Sequence, residues 1–273
     1  MGVFLWLIHR SPSSDNRYDT VVKRLHLFEL LIYPIFHGVQ TSKCCFVALI
    51  LALLGCYENQ PAPVKLDSTL GTHYTLIQDG NTGSARVRLR QFMDEFGESS
   101  QPLFLMGLSY HHDSRYSRAA FWFEKAVSNE YTAGVYPTAW HFLGWSQYYL
   151  GNIDYSKTAF EHFLTLQPEE EDSLFALGLI ATEEGKFTEA KEFFNQSIQA
   201  ARDGSHAVAK AQARLADVYL EENELQKALP LFRNAVNLNP DLYEAWYKLA
   251  MALRRLELFE ESEQASNQFE LSR

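Results

Sequence analysis

The chain has no cysteine beyond residue 56. Its three cysteines are Cys44, Cys45 and Cys56, and the rest of its 273 residues contain none. A disulfide or a thiolate metal site is therefore excluded for everything that follows residue 56. That part of the chain can fold in a reducing or an oxidising compartment, since no covalent link between cysteines is needed.

The chain is also short of basic residues, with 24 Lys and Arg against 34 Asp and Glu. Five of the basic and three of the acidic residues precede residue 57, which leaves 19 and 31 for the remainder and a net charge of −12. Such a surface repels the phosphates of nucleic acids and the anionic head groups of a membrane. We therefore expect no nucleic-acid partner.

No apolar run reaches the ~20 residues that a membrane-spanning helix needs. The run at 44–54 reads CCFVALILALL and has 11 residues. Together with Lys43 before it, this run is typical of the hydrophobic part of a secretory signal peptide. An uncleaved membrane anchor and a buried soluble helix are the alternatives.

The end of this run, Leu53-Leu54-Gly55-Cys56, resembles the lipobox of bacterial lipoproteins, in which the cysteine becomes the acylated N-terminus. The resemblance implies a signal peptide at 39–55, a lipid anchor on Cys56 and a polar tether at 56–65. Tyr57 follows the cysteine where an Asp would imply retention in the inner membrane. The resemblance therefore implies the outer membrane, facing the periplasm.

Residues 1–38 show neither clean amphipathic periodicity nor a domain-sized core. A signal peptide begins close to the start of translation. We therefore expect translation to start near Val39 and residues 1–38 to be an artefactual or unstructured extension.

A pattern of about 34 residues repeats from residue 100 onward. A small residue recurs at intervals of 37, 34, 38 and 34, as Gly107, Gly144, Gly178, Ala216 and Ala250. A phenylalanine follows the first four of these by 16 positions, as Phe123, Phe160, Phe194 and Phe232. A further small residue follows each of the five by 12 positions. Small residues at these two positions let paired helices approach closely, while the large residues fill the space between them.

This pattern resembles the tetratricopeptide repeat, and the resemblance covers about two thirds of the chain. It implies an all-α, right-handed superhelical solenoid of antiparallel helix pairs, each with a helix A and a helix B. The five repeats are expected at 100–136, 137–170, 171–208, 209–242 and 243–273. Residues 66–99 are interpreted as a degenerate sixth unit. Gly151 and Gly185 suit the left-handed backbone that ends a helix A.

In this family, positions 2, 5, 9, 12 and 13 of the helices A line a concave groove. The resemblance therefore implies a peptide-binding groove, which we assign to nine side chains: Phe104, Leu108, His141, Trp145, Tyr148, Phe175, Leu179, Tyr247 and Met251. The same positions also carry Tyr149, Lys210, Asp217 and Glu244. Aromatic side chains on a concave surface suit an amphipathic helix or an extended peptide. The alternative is that they pack against residues 57–99 or against one another.

No phosphate loop, nucleophile elbow or zinc spacing occurs, and no stretch remains that is large enough for a catalytic domain. We expect a non-catalytic protein-protein interaction scaffold with no catalytic residue, metal, cofactor or small-molecule substrate. The layout is similar to tetratricopeptide lipoproteins that serve as pilus-secretin pilotins or as adaptors for peptidoglycan enzymes. That similarity implies a role in assembling an envelope complex; a soluble cytoplasmic adaptor is the alternative.

Overall fold

The structure is a computed structural model that describes residues 66–128, 136–201 and 205–272. The predicted translation start, signal peptide and lipidation site at Cys56 lie outside these residues. Within the described ranges the chain is almost wholly helical and contains no strand.

Twelve α-helices occur in the described residues, preceded by a single 3-10 turn at Ser68–Leu70. They are α1 (Gly71–Gln78), α2 (Thr82–Phe96), α3 (Ser100–His112), α4 (Tyr116–Val127), α5 (Thr138–Tyr149), α6 (Ile153–Leu166), α7 (Glu171–Glu183), α8 (Phe187–Ala200), α9 (His206–Glu221), α10 (Leu225–Leu238), α11 (Tyr243–Arg255) and α12 (Phe259–Ser272). The odd-numbered helices are the helices A of the predicted repeats, and the even-numbered helices are the helices B.

Each helix A packs against the helix B that follows it, and each pair packs against the next pair. Helices A of neighbouring pairs also contact each other, as α1 does with α3 and α7 with α9. Each pair therefore covers an apolar face of the next, and the helices A form one continuous side of the stack. The predicted all-α solenoid of helix pairs is confirmed.

The turn that ends each helix A has the same geometry in all six pairs. One residue takes a left-handed backbone with φ between 55° and 77°: Gly80, Ser114, Gly151, Gly185, Asn223 and Glu257. The next amide donates to the carbonyl five residues before it, as Asn152 does to Gln147 at 2.9 Å. This is the Schellman motif, which satisfies carbonyls that the helix end would leave free. The pair at 71–96 therefore ends its helix A as the five later repeats do.

A phenylalanine ring lies directly on the small residue of the facing helix in each of the first three repeats. A Cβ atom added to Gly107, Gly144 or Gly178 would stand 2.6–2.7 Å from the ring of Phe123, Phe160 or Phe194. All three rings are completely buried. In these repeats the glycine therefore sets how closely helix A and helix B approach.

A buried serine joins the same two helices in two of the repeats. The hydroxyl of Ser156 donates to the carbonyl of Gly144 at 2.9 Å, and that of Ser262 donates to the carbonyl of Ala250 at 2.9 Å. The equivalent residues in the other three repeats are fully buried alanines. The close approach is therefore compatible with a methyl group or with a hydroxyl whose hydrogen bond is satisfied.

We predict that Gly144→Ala lowers the free energy of unfolding by about 1–2 kcal/mol. The added methyl overlaps the Phe160 ring, and the strain of overpacking exceeds the gain in helix propensity. Chemical denaturation followed by circular dichroism measures the change.

Gly83→Ala is the matched control, because Gly83 lies in α2, is exposed and has no heavy atom within 4 Å of an added Cβ. This change should leave stability unchanged or raise it by up to about 1 kcal/mol. Equal effects of the two substitutions would contradict the proposed role of the glycine in helix spacing.

Candidate functional site

A groove of about 720 Å³ opens on the side of the stack formed by the helices A. Its lining comes mainly from α3, α5, α7, α9 and α11 and from the turn before α11, with Phe232 from α10. One half, which we call the aromatic wall, consists of Phe142, Trp145, Tyr148, Tyr149 and Phe175. The other half, which we call the charged end, consists of Lys210, Arg214, Asp217, Glu244 and Lys248.

Helical periodicity explains why α5 supplies most of the aromatic wall. Residues three or four positions apart lie on one side of a helix, so His141, Trp145, Tyr148 and Tyr149 share one side of α5. Gly144, which faces Phe160 in the core of the repeat, lies about a quarter turn around the helix from the middle of this side. The contact that fixes the helix pair therefore also turns these side chains toward the groove.

Three rings of the aromatic wall, those of Trp145, Tyr148 and Tyr149, contact one another, and Tyr149 also contacts Tyr116. Tyr149 lies between two rings. Its ring centroid is 4.5 Å from that of Tyr116 and 5.7 Å from that of Trp145, and its ring plane is nearly parallel to both. Trp145 meets the rings of Tyr148 and Phe160 edge-on at 5.7 Å and 5.4 Å. Tyr149 nevertheless keeps 52% of its surface exposed. The wall is therefore an ordered cluster with apolar surface still available.

Hydrogen bonds tie the polar edges of these rings to the next repeat. The indole nitrogen of Trp145 donates to Asp172 at 2.8 Å, and the hydroxyl of Tyr148 donates to Glu183. Both carboxylates lie on α7, so these bonds join α5 to α7. Burial and the Glu183 carboxylate raise the pKa of Tyr148 well above its ordinary value, so this hydroxyl keeps its proton.

A buried histidine strengthens the same junction. His141 is 8% exposed, and its Nδ1 lies 2.8 Å from the hydroxyl of Ser173. Its two ring nitrogens lie 3.5 Å from carboxylate oxygens of Glu170 and Asp172. Glu170 also accepts the backbone amide of Ser173 and caps the start of α7.

The two carboxylates beside His141 differ in their environments. Burial raises the pKa of Glu170, but the hydrogen bonds and charge from His141 and the bonds from Ser173 outweigh it, so the net shift is downward. Burial is also the largest influence on Asp172, and there the net shift of the pKa is upward. The negative charge of Asp172 is therefore less well compensated than that of Glu170.

The charged end is an ion-pair network between α9 and α11. The guanidinium nitrogens of Arg214 lie 3.2 Å from a carboxylate oxygen of Asp217 and 3.0 Å from one of Glu244. The Nζ atom of Lys248 lies 3.6 Å from the other carboxylate oxygen of Asp217. Burial is the main cause that raises the pKa of Asp217, although both neighbouring cations act against it. Lys210 is exposed and makes no ion pair with any residue that the structure describes.

The structure places the nine predicted groove residues in three different environments. Five of them line the groove: His141, Trp145, Tyr148, Phe175 and Leu179. Phe104 and Leu108 are only 3% and 7% exposed and lie in the core. The rings of Tyr136 and Phe142 lie against Phe104, at 4.7 Å and 5.8 Å between centroids.

Tyr247 and Met251 lie on α11 and are 49% and 39% exposed, but they do not line the groove. The ring of Tyr247 lies 5.6 Å from that of Phe269 on α12. The structure therefore brings together the predicted residues of the second and third repeats and does not bring those of the first and fifth to the same groove.

Three groove side chains that were not predicted from the sequence share position 6 of their repeats, namely Phe142, Arg214 and Lys248. Position 6 follows position 2 by four residues and therefore lies on the same side of the helix. Lys210 and Glu244 are at position 2, so the residues four positions after them, Arg214 and Lys248, could have been predicted to line the groove.

Two further features are absent from residues 66–128, 136–201 and 205–272. In these ranges, no cluster of three or more His, Cys, Asp or Glu has the arrangement of a metal site. None of the described helices combines the length and the apolar character that crossing a bilayer requires.

Comparison with known proteins finds the tetratricopeptide repeat in two parts of the chain. One family profile of that description matches residues 137–170, and another matches residues 169–241. The first match has the bounds of the second predicted repeat, and the other spans the third and fourth. No curated protein matches this chain in sequence.

Several solved structures resemble the helical stack. PilF of Pseudomonas aeruginosa is 18% identical, with 73% of this chain and 86% of PilF covered at a TM-score of 0.61. MamA of Desulfovibrio magneticus RS-1, from residue 41 onward, is 16% identical, with 64% of this chain and 96% of the MamA chain covered at a TM-score of 0.55. YrrB, described as a TPR protein with an unusual peptide-binding site, is 17% identical, with 68% of this chain and 92% of the YrrB chain covered at a TM-score of 0.53. At these identities the likeness is one of fold.

His111 forms part of the groove lining in a largely apolar setting. Its ring lies 5.3 Å from the rings of Tyr116 and Phe142, and its Nε2 is buried without a hydrogen-bond partner among the described residues. Burial lowers the pKa of His111 to about 4, and the charges of His141 and His112 act in the same direction. His111 is therefore neutral near pH 7.

We predict that acidification destabilises the protein through His111. Its pKa in the folded state is below the ordinary value of about 6.5, so the unfolded chain binds the proton first as the pH falls from about 6.5 to 4. The free energy of unfolding should fall by about 1–2 kcal/mol from pH 7 to pH 5 through this group. His111→Leu removes the group, and urea unfolding at both pH values should show a smaller fall. A fall equal to that of the unchanged chain would contradict the prediction.

Proposed function

Because this chain is a tetratricopeptide-repeat protein, we propose that it is a non-catalytic scaffold that holds a peptide segment of a partner protein in its concave groove. The observation that carries this proposal is the aromatic wall. Large rings there are ordered by contacts within the protein yet keep apolar surface open to the groove. Contiguous apolar surface on the outside of a protein marks an interaction site.

The groove has the character of a peptide site rather than of a reaction centre. Its lining combines apolar rings with carboxylates and cations that are largely paired with one another. Aromatic side chains in a concave surface provide large contact area at little cost in conformational entropy and act as anchors. The hydrogen bonds of Trp145 and Tyr148 hold two of these rings in place before a partner arrives, which reduces the entropy lost on binding.

We further propose that the protein is a lipoprotein of the outer membrane that faces the periplasm and assists the assembly of an envelope complex, such as a pilus or peptidoglycan machinery. The support is the apolar run at 44–54 with Cys56 after it, and the position of the helical stack directly after the tether at 56–65. The likeness in fold to PilF, over 86% of that chain, is compatible with such a role. Acyl chains on Cys56 would anchor the scaffold by burial in the bilayer.

We predict that Trp145→Ala, Tyr148→Ala and Phe175→Ala together abolish capture of the partner. These substitutions remove the anchoring surface of the groove, and anchors of this kind contribute about 2 kcal/mol or more each. The measurement is affinity capture from detergent-solubilised envelopes with the full chain as bait, followed by identification of the captured subunits.

Trp145 also contacts Phe160 in the core, so a second variant separates binding from folding. Tyr149→Ala removes a ring that is 52% exposed, and it should weaken capture with little change in melting temperature. Tyr155→Ala is the matched control, because Tyr155 is 73% exposed on α6 and does not line the groove. Capture that survives all the groove substitutions, or that falls equally in the control, would overturn the groove assignment.

We predict that Cys56→Ala abolishes lipid attachment. In a Gram-negative host fed radiolabelled palmitate, the unchanged chain should carry label and should fractionate with the outer membrane. The Cys56→Ala chain should carry none. Cys44→Ala is the matched control and should still be labelled, since Cys44 belongs to the segment that is cleaved off. If the unchanged chain carried no label and fractionated with the cytoplasm, the soluble adaptor would be favoured instead.

A further inference from the structure

We infer that the segment held in the groove is basic: an extended peptide with an Arg or Lys side chain that packs along the aromatic wall and pairs with Asp172 and Glu183. This inference rests on the proposed function and specifies the chemistry of its partner. It follows from the distribution of charge and of cation contacts around the groove.

Negative charge exceeds positive charge around the groove. The lining contains four carboxylates, those of Asp172, Asp217, Asp241 and Glu244, against the three cations Lys210, Arg214 and Lys248. Two more carboxylates lie just behind the lining and contact it directly. These are Glu170, beside His141, and Glu183, which accepts the hydroxyl of Tyr148. A basic peptide therefore complements the groove better than an acidic one does.

The cations of the groove are concentrated at its charged end, where two of the three are already paired. Arg214 lies between Asp217 and Glu244, and Lys248 lies near Asp217. Only Lys210 has no ion pair with a described residue, and it influences Asp172 through space rather than by a direct bond. Asp172 and Glu183 at the aromatic wall therefore pair with no lysine or arginine of the described residues.

The bonds to these carboxylates leave room for a cation. Asp172 accepts one hydrogen bond, through Oδ2 from the indole of Trp145, and Oδ2 also lies 3.5 Å from Nε2 of His141. A carboxylate has about four lone-pair sites and can accept the paired donors of a guanidinium. The upward shift of the Asp172 pKa has the same origin, because its charge is partly buried without a full set of partners. An incoming cation would lower that pKa and stabilise the ionised form.

Aromatic rings elsewhere in the described residues contact cations of the chain itself. These pairs, with 4.7–5.7 Å between the cation and the ring centroid, are Arg86 and Arg118 on Tyr110, Lys125 on Trp122, and Lys191 and Lys227 on Tyr219. No Lys or Arg of the described ranges takes such a position on the aromatic wall. The wall therefore combines rings and carboxylates without a cation such as those on Tyr110, Trp122 and Tyr219, and a basic ligand would supply one.

The length and shape of Arg and Lys fit this arrangement. Their aliphatic stems pack on apolar surface while the charged group reaches a polar partner. On the aromatic wall the stem would lie against Trp145 and Tyr149, and the head would reach Asp172 or Glu183 on α7. An acidic segment would find only Lys210 unpaired and would meet three carboxylates at the wall.

The test is binding of short fluorescein-labelled peptides to the full chain, measured by fluorescence anisotropy. Three peptides share the same Leu and Ala positions and carry Arg, Gln or Glu at the remaining positions. We expect the Arg peptide to bind about tenfold or more tightly than the Gln peptide, and the Glu peptide to bind least. Binding of the Arg peptide should weaken as the salt concentration rises.

Two substitutions assign the effect to the wall. Asp172→Asn keeps the shape of the side chain and an acceptor for Trp145, and Glu183→Gln keeps an acceptor for Tyr148. Each should weaken the Arg peptide about tenfold or more and should remove most of the preference for the Arg peptide over the Gln peptide. Glu192→Gln is the matched control, because Glu192 is exposed on α8 and does not line the groove. It removes the same charge and should change neither affinity.

Each result other than these overturns the inference in a recognisable way. Equal binding of the Arg and Gln peptides, with loss in Tyr149→Ala, would leave the groove as a peptide site without a charge preference. Tighter binding of the Glu peptide would assign the groove to an acidic partner. An effect of Glu192→Gln equal to that of Asp172→Asn would mean that net charge alone attracts the peptide. If none of the peptides bound, the inference of a basic segment would be refuted. The capture experiment with the natural partner would still decide the proposed function.

Discussion

The close contact between a phenylalanine ring and a glycine is the constraint on which the rest of the structure depends. In three successive repeats the ring of helix B lies where a Cβ atom of helix A would otherwise stand. Each ring is fully buried, so its whole apolar surface contributes to stability and its position cannot shift freely. The helix pair is thereby held at one spacing. Because the same side of helix A must always face the ring, the side that carries the groove residues always faces outward in the same direction. Stacked pairs of this kind place their outward sides next to each other, and the groove is the result.

Interactions between repeats then give the groove its particular chemistry. Trp145, Tyr148 and His141 on α5 each contact a side chain of α7, either a carboxylate or the Ser173 hydroxyl. The aromatic wall is therefore built from two repeats and is held by bonds that cross their junction. At the charged end, Arg214 makes the corresponding link from α9 to Glu244 on α11. The orientation of the Trp145 and Tyr148 rings is fixed at their polar edges, which leaves their apolar surface for a ligand.

The repeating features of the fold could be predicted from the sequence because they are local. Glycine, alanine or serine at fixed spacing, with phenylalanine after it, determines how one helix pair forms, and no distant residue is needed. The left-handed turns were predictable only in part. Gly151 and Gly185 suggested them, whereas Ser114, Asn223 and Glu257 adopt the same backbone without being glycine. At those three positions the packing of the helix pair outweighs the cost of a left-handed backbone for a residue with a side chain.

The groove was less predictable because its shape depends on how successive pairs are placed relative to one another. A rule of positions treats all repeats alike, yet Phe104 is covered by Tyr136 and by Phe142 from the next repeat, while Phe175 at the same position of the third repeat lines the groove. The side chain at position 6 of the following helix differs between these two cases. For Phe104 it is Phe142, whose ring lies against it. For Phe175 it is Arg214, which pairs with Asp217 and Glu244 and lines the groove together with Phe175. The groove is therefore open where an apolar ring at position 6 is replaced by a charged side chain, and that change is readable in the sequence once the stacking order of the helices is known.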